Sequence, residues 1–426
     1  MSEEVPAGWT AARIGDVCRL VNGRAFKPVE WTTAGLPIIR IQNLNDSNAP
    51  FNHFAGRLDP KHRVEHGDLL FAWSGTPGTS FGAHIWRGPE AALNQHIYRI
   101  MFSETQLDKR FLRLAINQRL DDLVHAAHGG AGLAHVTKPV FEQTEITFPP
   151  LAQQRHIVEK LEALLTQVNV SRERLTRVRD ILKRFRQSVL DTACSGRLTE
   201  EWRASSLTAG AEGELETSTN STDIPPTWKV EQLGTIAVVG TGATPLRKRR
   251  DYYGGAIPWL RSACVNDDPV LQADEYITDV AIAETNAKLF PVGTLLMAMY
   301  GEGATRGKVT ELGIAAATNQ ALAAIILRPQ QAELRSYLKF ALRAQYQTHR
   351  ELSAGGVQPN LSLTLIRDMV VPVPPPAERG EIVRRVEMLF RLADAIESTL
   401  SAAADCAGRL PAAILAKAFR GQVLST

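Results

Sequence analysis

"FPPLAQQRHIVEKLE", residues 148–162, decides the fold, because a related segment, "VPPPAERGEIVRRVE", occupies residues 373–387. In both segments prolines follow an apolar residue and lead directly into a long helical pattern. Ile157 in the first segment and Ile382 in the second are 225 positions apart. Similarity repeated at a nearly fixed distance indicates a duplicated structural unit.

The duplication extends over most of the chain. Three further segments of the first half return in the second half: "VPAGWTAARIGDV" (5–17) as "IPPTWKVEQLGTI" (224–236), "VEHGDLLFAWSG" (64–75) as "FPVGTLLMAMYG" (290–301), and "LNQHIYRI" (93–100) as "TNQALAAI" (318–325). The sequence therefore predicts two divergent copies of one module, joined in tandem.

A glycine-rich stretch, "GEGATRGKVT" (301–310), is similar to a phosphate-binding loop, but its spacing excludes that function. Its glycines are separated by three or five residues where a P-loop has four, and Val309 follows Lys308 where a P-loop has Ser or Thr. The corresponding stretch of the first copy, "SGTPGTSFG" (74–82), has no lysine. We therefore interpret both stretches as glycine-rich turns.

Both copies keep an Asn-Gln pair after the glycine-rich turn, at Asn94-Gln95 and Asn319-Gln320. Amide side chains can form paired hydrogen bonds with the edge of adenine. They can equally brace a loop through bonds to the backbone. The sequence leaves both roles open for this pair.

Composition places the chain among ordinary globular proteins. With 426 residues we expect two to four domains, and 44% hydrophobic with 22% charged residues is a globular composition. The formal net charge of +3 is compatible with nucleic-acid binding without requiring it. The four cysteines lie far apart, which predicts no metal site and reduced thiols in a cytoplasmic protein. No signal peptide or membrane span is expected.

A long helix is predicted after each proline segment, because apolar residues recur at alternating intervals of four and three. The stripe consists of Ile157, Leu161, Leu164, Val168, Leu175, Val178, Leu182, Phe185 and Val189 in the first copy, and of Ile382, Val386, Leu389, Ile396, Leu400, Leu410 and Ile414 in the second. Helices of about 40 residues, about 60 Å long, cannot bury such a stripe alone. We expect an antiparallel coiled coil with pseudo-twofold symmetry, in which Pro411 kinks or shortens the second helix.

Two segments near these stripes have a distinct composition: one is basic and the other is polar and without periodicity. The first helix carries seven basic residues between Arg172 and Arg186. They form either a solvated face or a surface for phosphates or an acidic partner. Residues 203–225 are rich in Ser, Thr, Gly and Glu and lack periodicity, which predicts a flexible linker.

The repeated order of variable region, glycine turn, proline segment and heptad helix resembles the DNA-specificity subunit of type I restriction–modification systems. The second copy has Glu378-Arg379 where the family usually has Glu-Gln. The resemblance implies five segments: a target recognition domain (1–148), a coiled-coil helix (149–202), a linker (203–224), a second target recognition domain (225–373) and a second helix (374–426).

The resemblance also implies the function. Each recognition domain would read one half of a bipartite site in double-stranded DNA, and the helices would fix the spacing. The subunit would have no catalytic residues or cofactor of its own. It would recruit two modification subunits, which use S-adenosylmethionine to methylate adenine N6, and two restriction subunits, which use ATP and Mg²⁺.

Each recognition domain is expected to have a mixed α/β (α+β) fold. The apolar runs "PIIRIQ" (37–42), "DLLFAW" (68–73) and "HIYRI" (96–100) predict strands. Residues 109–124 and 334–346 predict helices.

Polar and basic residues in the loops are the candidates for DNA contact. In the first copy they are Arg24, Lys27, Arg40, Gln42, Asn43, Ser74, Thr76, Thr79, Asn94, Gln95 and Lys138. In the second copy they are Arg247, Lys248, Arg249, Arg250, Arg261, Tyr300, Arg306, Lys308, Asn319, Gln320, Gln358 and Asn360.

Two other classes of protein remain as alternatives. An enzyme, such as a fused nuclease or methyltransferase, is favoured only by the glycine loops, since the sequence contains no recognisable catalytic motif. A coiled-coil scaffold without DNA specificity would account for the heptads but not for the duplicated variable regions.

Overall fold

The computed structural model describes residues 5–46, 48–75, 81–125, 134–208, 224–301, 305–352 and 360–422. The chain forms two compact units: unit 1 contains residues 1–176 and 402–426, and unit 2 contains residues 177–401. Both long helices cross the boundary between these ranges. Each unit is therefore built from one module and a helical segment of the other.

In the described part of the chain, unit 1 contains twelve strands and five helices before the first long helix. Its strands are β1 (Thr10–Arg13), β2 (Cys18–Asn22), β3 (Leu36–Ile39), β4 (Asn52–Phe54), β5 (Arg63–Val64), β6 (Leu69–Ala72), β7 (Ser74–Gly75), β8 (Gly82–Ile85), β9 (Ala91–Leu93), β10 (Ile97–Phe102), β11 (Ala134–His135) and β12 (Glu145–Phe148). Its helices are α1 (Ile14–Val17), α2 (Ile41–Asn45), α3 (Lys109–Gln118), α4 (Leu120–His125) and α5 (Lys138–Gln143), followed by the start of α6 (Leu151–Cys194).

Unit 2 follows the same plan. Its strands are β13 (Lys229–Gln232), β14 (Ala237–Thr241), β15 (Tyr253–Leu260), β16 (Glu275–Ile277), β17 (Leu289–Phe290), β18 (Leu295–Ala298), β19 (Val309–Glu311), β20 (Ala316–Thr318), β21 (Leu322–Leu327) and β22 (Val370–Val373). Its helices are α7 (Glu200–Thr208), α8 (Leu233–Ile236), α9 (Asp279–Glu284), α10 (Arg335–Ala344), α11 (Tyr346–Leu352), α12 (Leu363–Asp368) and the start of α13 (Pro376–Phe419).

The sheets confirm the duplication. Unit 1 has one sheet in the order β2-β10-β6-β8 and another in the order β4-β3-β9-β5; unit 2 repeats these as β14-β21-β18-β19 and β16-β15-β20-β17. Neighbouring strands are antiparallel except β3–β9 and β15–β20, which occupy the same place in their sheets. This is the mixed α/β fold that the sequence predicts.

The core of unit 1 needs the end of α13. Trp9 packs edge-to-face on Phe111 of α3 and on Phe419 of α13, with ring centroids 6.0 and 6.5 Å apart. Ile157 and Leu161 of α6 and Ala418 of α13 belong to the same buried cluster. Burying each large apolar side chain contributes about 1.5–3 kcal/mol. The first part of α6 thus meets the last part of α13.

The core of unit 2 is completed by the opposite ends of the two long helices. Val189 and Ala193 from the end of α6 share a buried cluster with Ile382 and Val386 from the start of α13. On the surface of this pair, Arg186 of α6 bonds to Asp394 and Glu397 of α13 at 2.5 and 2.6 Å. Within each unit the two helices are therefore antiparallel, as predicted.

Burial along the helices follows one heptad row rather than two. Every seventh residue lies in the seam and is buried or half-buried: Leu161, Val168, Leu175, Leu182 and Val189 in α6, and Val386, Ala393, Leu400, Ala407 and Ile414 in α13. The second predicted row is only partly buried, and Leu164, Ile396 and Leu410 are 38–41% exposed. A regular two-stranded coiled coil would bury both rows, so the contact between these helices is narrower than the heptad pattern predicts.

Three other predictions from the sequence need correction, on the second long helix, on strand β3 and on the linker. Pro411 does not shorten α13, which continues to Phe419, because its last turns are held in the core of unit 1. Arg40–Gln42 do not extend strand β3: the Asn43 side chain accepts the Arg40 N–H at 3.0 Å and starts helix α2 instead. The first residues of the predicted linker, 203–208, are helical in α7.

Candidate nucleic-acid interface

In each unit, several loops meet at one edge of the sheets, which we call the loop edge. In unit 1 the Trp73 indole Nε1 donates to Gln95 O at 3.1 Å, and the Val136 N–H donates to Trp73 O at 3.0 Å. The Arg24 N–H donates to Leu93 O at 2.9 Å. Segments 23–31, 73–75, 94–96 and 134–138 therefore come together, although they are distant in sequence. The Arg40 guanidinium, 5.5 Å from the Trp31 ring centroid, brings in segment 40–43.

The loop edge of unit 2 is built in the same way. The Met299 N–H donates to Ala321 O at 2.8 Å, and the Leu361 N–H donates to Met299 O at 3.1 Å. The Asn319 N–H donates to Leu260 O at 2.9 Å. Most of the predicted contact residues lie on or beside these two edges, while Thr76, Thr79 and Gln358 lie outside the described residues.

Glycines are required where the loops pass closely. A Cβ at Gly23 would lie 2.0 Å from Asn94 O, and one at Gly242 would lie 1.9 Å from Thr318 O. Either distance is a severe clash, so both copies keep glycine after the first strand of the sheet. The glycine-rich turns begin with Gly75 and Gly301, whose φ angles of 149° and 135° favour glycine.

The geometry separates the roles left open for the Asn-Gln pair. Asn94 Oδ1 accepts the Gln95 N–H at 2.9 Å, and Asn319 Oδ1 accepts the Ala321 N–H at 3.1 Å. Both asparagines therefore brace their own turn. Gln95 and Gln320 are exposed, although the Gln95 amide lies 3.1 Å from His96 Nε2 and Gln320 Oε1 accepts the Thr244 hydroxyl at 2.6 Å.

An aromatic and imidazole cluster marks the loop edge of unit 1. The Trp73 ring centroid lies 5.2 Å from that of His96 and 5.8 Å from that of His135. Ser74, which is buried, places its Oγ 3.5 Å from His135 Nε2. Burial lowers the pKa of His96, and the nearby His135 and Arg40 add to this effect. This imidazole is therefore held toward its neutral form.

The cluster has no equivalent in unit 2. The repeat places Met299, Ala321 and Asn360 at the positions of Trp73, His96 and His135. Sequence reasoning did not select these three residues of unit 1. The available signal was the difference between the copies at positions that the repeat aligns.

The other candidate DNA-contact residues in unit 1 form two groups: those held by structural contacts and those with accessible side chains. Arg24 pairs with Glu30 and lies over the Phe54 ring at 4.7 Å, and Asn43 is buried, with its amide bonded to the backbone. These contacts favour a role in shaping the loops. The remaining candidates of unit 1 outside the Asn-Gln pair have more accessible side chains: Lys27, Arg40, Gln42 and Lys138.

The basic cluster 246–250 of unit 2 is partly neutralised. Arg247 bonds to Glu275 at 2.5 and 3.3 Å, and Arg249 bonds to Asp251 at 2.6 Å. The hydrogen bond from Arg247 lowers the pKa of Glu275. Lys248 and Arg250 are exposed, and neither has an ion pair among the residues described.

The remaining candidates of unit 2 lie on the same edge. Arg261 pairs with Glu275 at 3.3 Å, and Lys308 donates to Asn266 Oδ1 at 2.7 Å. Tyr300 is exposed, while Arg306 and Asn360 are half-buried. The two edges thus share a backbone plan but present different side chains.

Comparison with known proteins identifies the family. The model of the type I restriction modification DNA specificity domain matches residues 6–179 and 225–404, and the chain belongs to this family. None of the described helices is long and apolar enough to cross a membrane.

Relatives with similar sequences cover nearly the whole chain. The chain is 30% identical over 434 residues to the type I restriction enzyme EcoBI specificity subunit of Escherichia coli, covering 97% of this chain and 86% of that protein. It is 26% identical over 446 residues to the EcoKI specificity subunit of Escherichia coli strain K12, covering 99% and 90%.

Two solved structures share the fold. The HsdS subunit from Thermoanaerobacter tengcongensis matches with a TM-score of 0.61 at 19% identity over 99% of both chains. A chain from a study of complex assembly and conformational transition of the type I R-M system matches with a TM-score of 0.70 at 21% identity, over 98% of this chain and 99% of that one.

Proposed function

We propose that this chain is the sequence-reading subunit of a type I restriction–modification complex, in which each unit reads one half of a bipartite DNA site. The observation that carries the proposal is the repeated loop edge. Both units have the same strand order and the same braced Asn-Gln turn, but different side chains around it. A reader of two different half-sites needs a constant frame and variable contact residues.

Within each loop edge the proposed contacts fall into two groups. Gln95 and Gln320 are placed to reach base edges, because their backbones are fixed and their side chains are exposed. Lys248 and Arg250 suit phosphates, since an exposed cation near DNA contributes affinity without sequence preference.

The long helices are the proposed spacer. Each helix has 44 residues, or about 66 Å at 1.5 Å per residue, and each contributes to both units. The length of the helix pair would then determine the number of base pairs between the half-sites.

An exposed apolar strip supports recruitment of a modification subunit. Met388, Leu392 and Ile396 lie four residues apart on α13 and are 47%, 57% and 41% exposed. Residues at this spacing share one helix face, and an apolar helix face favours packing against another helix. We propose that catalysis, with S-adenosylmethionine, ATP and Mg²⁺, belongs to the modification and restriction subunits.

A map of N6-methyladenine in the source organism, with and without this gene, tests the proposal. Loss of one split motif on deletion is expected, and replacement of residues 1–148 should change only one half of that motif. If both halves changed together, the proposal that each unit reads its own half-site would be wrong. If purified chain and its modification subunit bound all duplexes equally, the scaffold alternative would be favoured.

A further inference from the structure

Unit 1 contains a cavity of about 500 Å³ that lies between strand β8 and helix α2. Its walls include Phe51 and Trp86, and its polar lining includes His84, Arg87 and Arg113. None of the described residues that line it is an Asp or a Glu. The cavity is therefore positively charged and open to a ligand.

Arg113 is the central cation of this cavity. Its Nε is buried and has no hydrogen-bond partner in the described part of the chain. Burial lowers the pKa of Arg113, Glu162 opposes that effect, and Arg87 adds to it. Glu162 itself bonds to Arg110 at 2.9 Å. Because this Nε has almost no exposed surface, an anion in the cavity would meet the terminal nitrogens of the guanidinium group, which form no ion pair with any described residue.

The second copy of the module shows which groups pair with the cation at the position equivalent to Arg113. Lys339 is the fifth residue of α10, as Arg113 is of α3. Lys339 pairs with Glu311 at 3.0 Å and with Asp268 at 3.4 Å, and Arg343 pairs with Asp268 at 2.8 Å. In unit 2 two carboxylates of the chain thus neutralise the cations.

The sheet register shows that unit 1 lacks the equivalent of Glu311. Glu311 of β19 is opposite Leu295, and Ile85 of β8 is opposite Leu69, at the same place in the repeated sheet. An apolar side chain therefore replaces the carboxylate. Glu311, one of the two carboxylates that pair with Lys339 in unit 2, therefore has no carboxylate counterpart in the cavity of unit 1.

We propose that this cavity binds a phosphate group, which takes the place that Glu311 occupies in unit 2. Two guanidinium groups match the oxygens of a phosphate, and the cavity has room for a nucleotide. The phosphate can belong to the DNA backbone beside the half-site or to a free nucleotide. Only the DNA source depends on the proposed function.

The first experiment measures binding of inorganic phosphate and of thymidine monophosphate to the full chain by calorimetry. Arg113→Met and Arg87→Met should each weaken binding about tenfold, as expected for a charged hydrogen-bond partner. Ile85→Glu should abolish it, because the new carboxylate would pair with Arg113 as Glu311 pairs with Lys339. Arg57→Met, at an exposed arginine of the same unit, is the matched control and should leave binding unchanged.

A salt titration with a mixed-sequence 40-base-pair duplex then distinguishes the two sources. If the phosphate is that of DNA, Arg113→Met should reduce the slope of log K against log salt by about 0.9, the value for one phosphate contact. An unchanged slope with retained nucleotide binding in the wild type would assign the cavity to free nucleotides. Absence of phosphate and nucleotide binding in the wild type, or binding that survives both Arg113→Met and Ile85→Glu, would overturn the proposal. Neither result depends on whether the chain reads a specific sequence.

Discussion

Replacing Glu378 with alanine should selectively destabilise unit 2. Glu378 is 2% exposed at the start of α13. Its Oε1 accepts the Thr199 hydroxyl at 2.8 Å, its Oε2 accepts the Trp228 indole N–H at 2.9 Å, and it pairs with Arg203. One carboxylate therefore joins three segments of unit 2 at the end of α6 and the start of α13.

The magnitude follows from what the substitution leaves behind. Arg203 has only 18% of its side chain exposed, so Glu378→Ala leaves a largely buried cation and two donors without their acceptor. Breaking a buried ion pair by removing one partner costs about 3–5 kcal/mol. Glu378→Gln keeps one acceptor oxygen and the packing, and we expect a loss of about 1.5–3 kcal/mol.

Hydrogen–deuterium exchange and denaturant titration of the full chain are the assays. Exchange should rise in residues 228–237 and 382–386 of unit 2 and stay unchanged in the core of unit 1 around Phe111. Glu387→Ala on the same helix is the matched control: its 3.8 Å pair with Arg391 is exposed and contributes less than about 1 kcal/mol. Equal exchange in Glu378→Ala and Glu387→Ala, or a rise centred on unit 1, would refute this reasoning.

Three further predictions concern recognition, spacing and pH. Gln320→Ala should relax the sequence preference of one half-site by about 1–3 kcal/mol, measured by competition between duplexes, while the other half-site keeps its preference. Adding one heptad to both α6 and α13 should lengthen the spacer in the methylated motif by about three base pairs, because seven residues add about 10 Å. An unchanged spacer would contradict the proposal that the helices set the distance between the half-sites. The pKa of His96 is lower in the folded chain than its ordinary 6.5, so its contribution to stability is complete above that value and is lost as the pH falls through the folded pKa. His96→Gln should therefore make thermal unfolding of unit 1 less sensitive to acid below about pH 6.5, compared with His125→Gln as a control.

Local pattern was enough to predict the architecture. The repeated proline segments, the heptads and the Asn-Gln turns predicted two equivalent modules and paired helices, because each feature depends on neighbours in sequence. Gly23 and Gly242 are required because a turn distant in sequence passes so close that a Cβ would lie about 2 Å from a backbone oxygen. The sequence alone could not supply that distance.

Other features depended on tertiary neighbours and were missed. Residues 37–42 alternate like a strand, but the Asn43 side chain accepts the Arg40 N–H and starts helix α2 within this run. The difference between Glu378-Arg379 and the usual family pair gave no indication that Glu378 is buried among three donors. The cationic cavity required knowing that Ile85 replaces a carboxylate, which only the strand register shows.

The shared cores have a consequence for inheritance. Unit 1 is completed by Ala418 and Phe419 from the far end of the gene, and unit 2 by Val189 and Ala193 from its middle. If each unit reads one half-site as proposed, a crossover within the segment that encodes either helix would exchange one recognition domain and keep the apolar residues that complete each core. Under that proposal, a single crossover would give a new pair of half-sites while both cores stay complete.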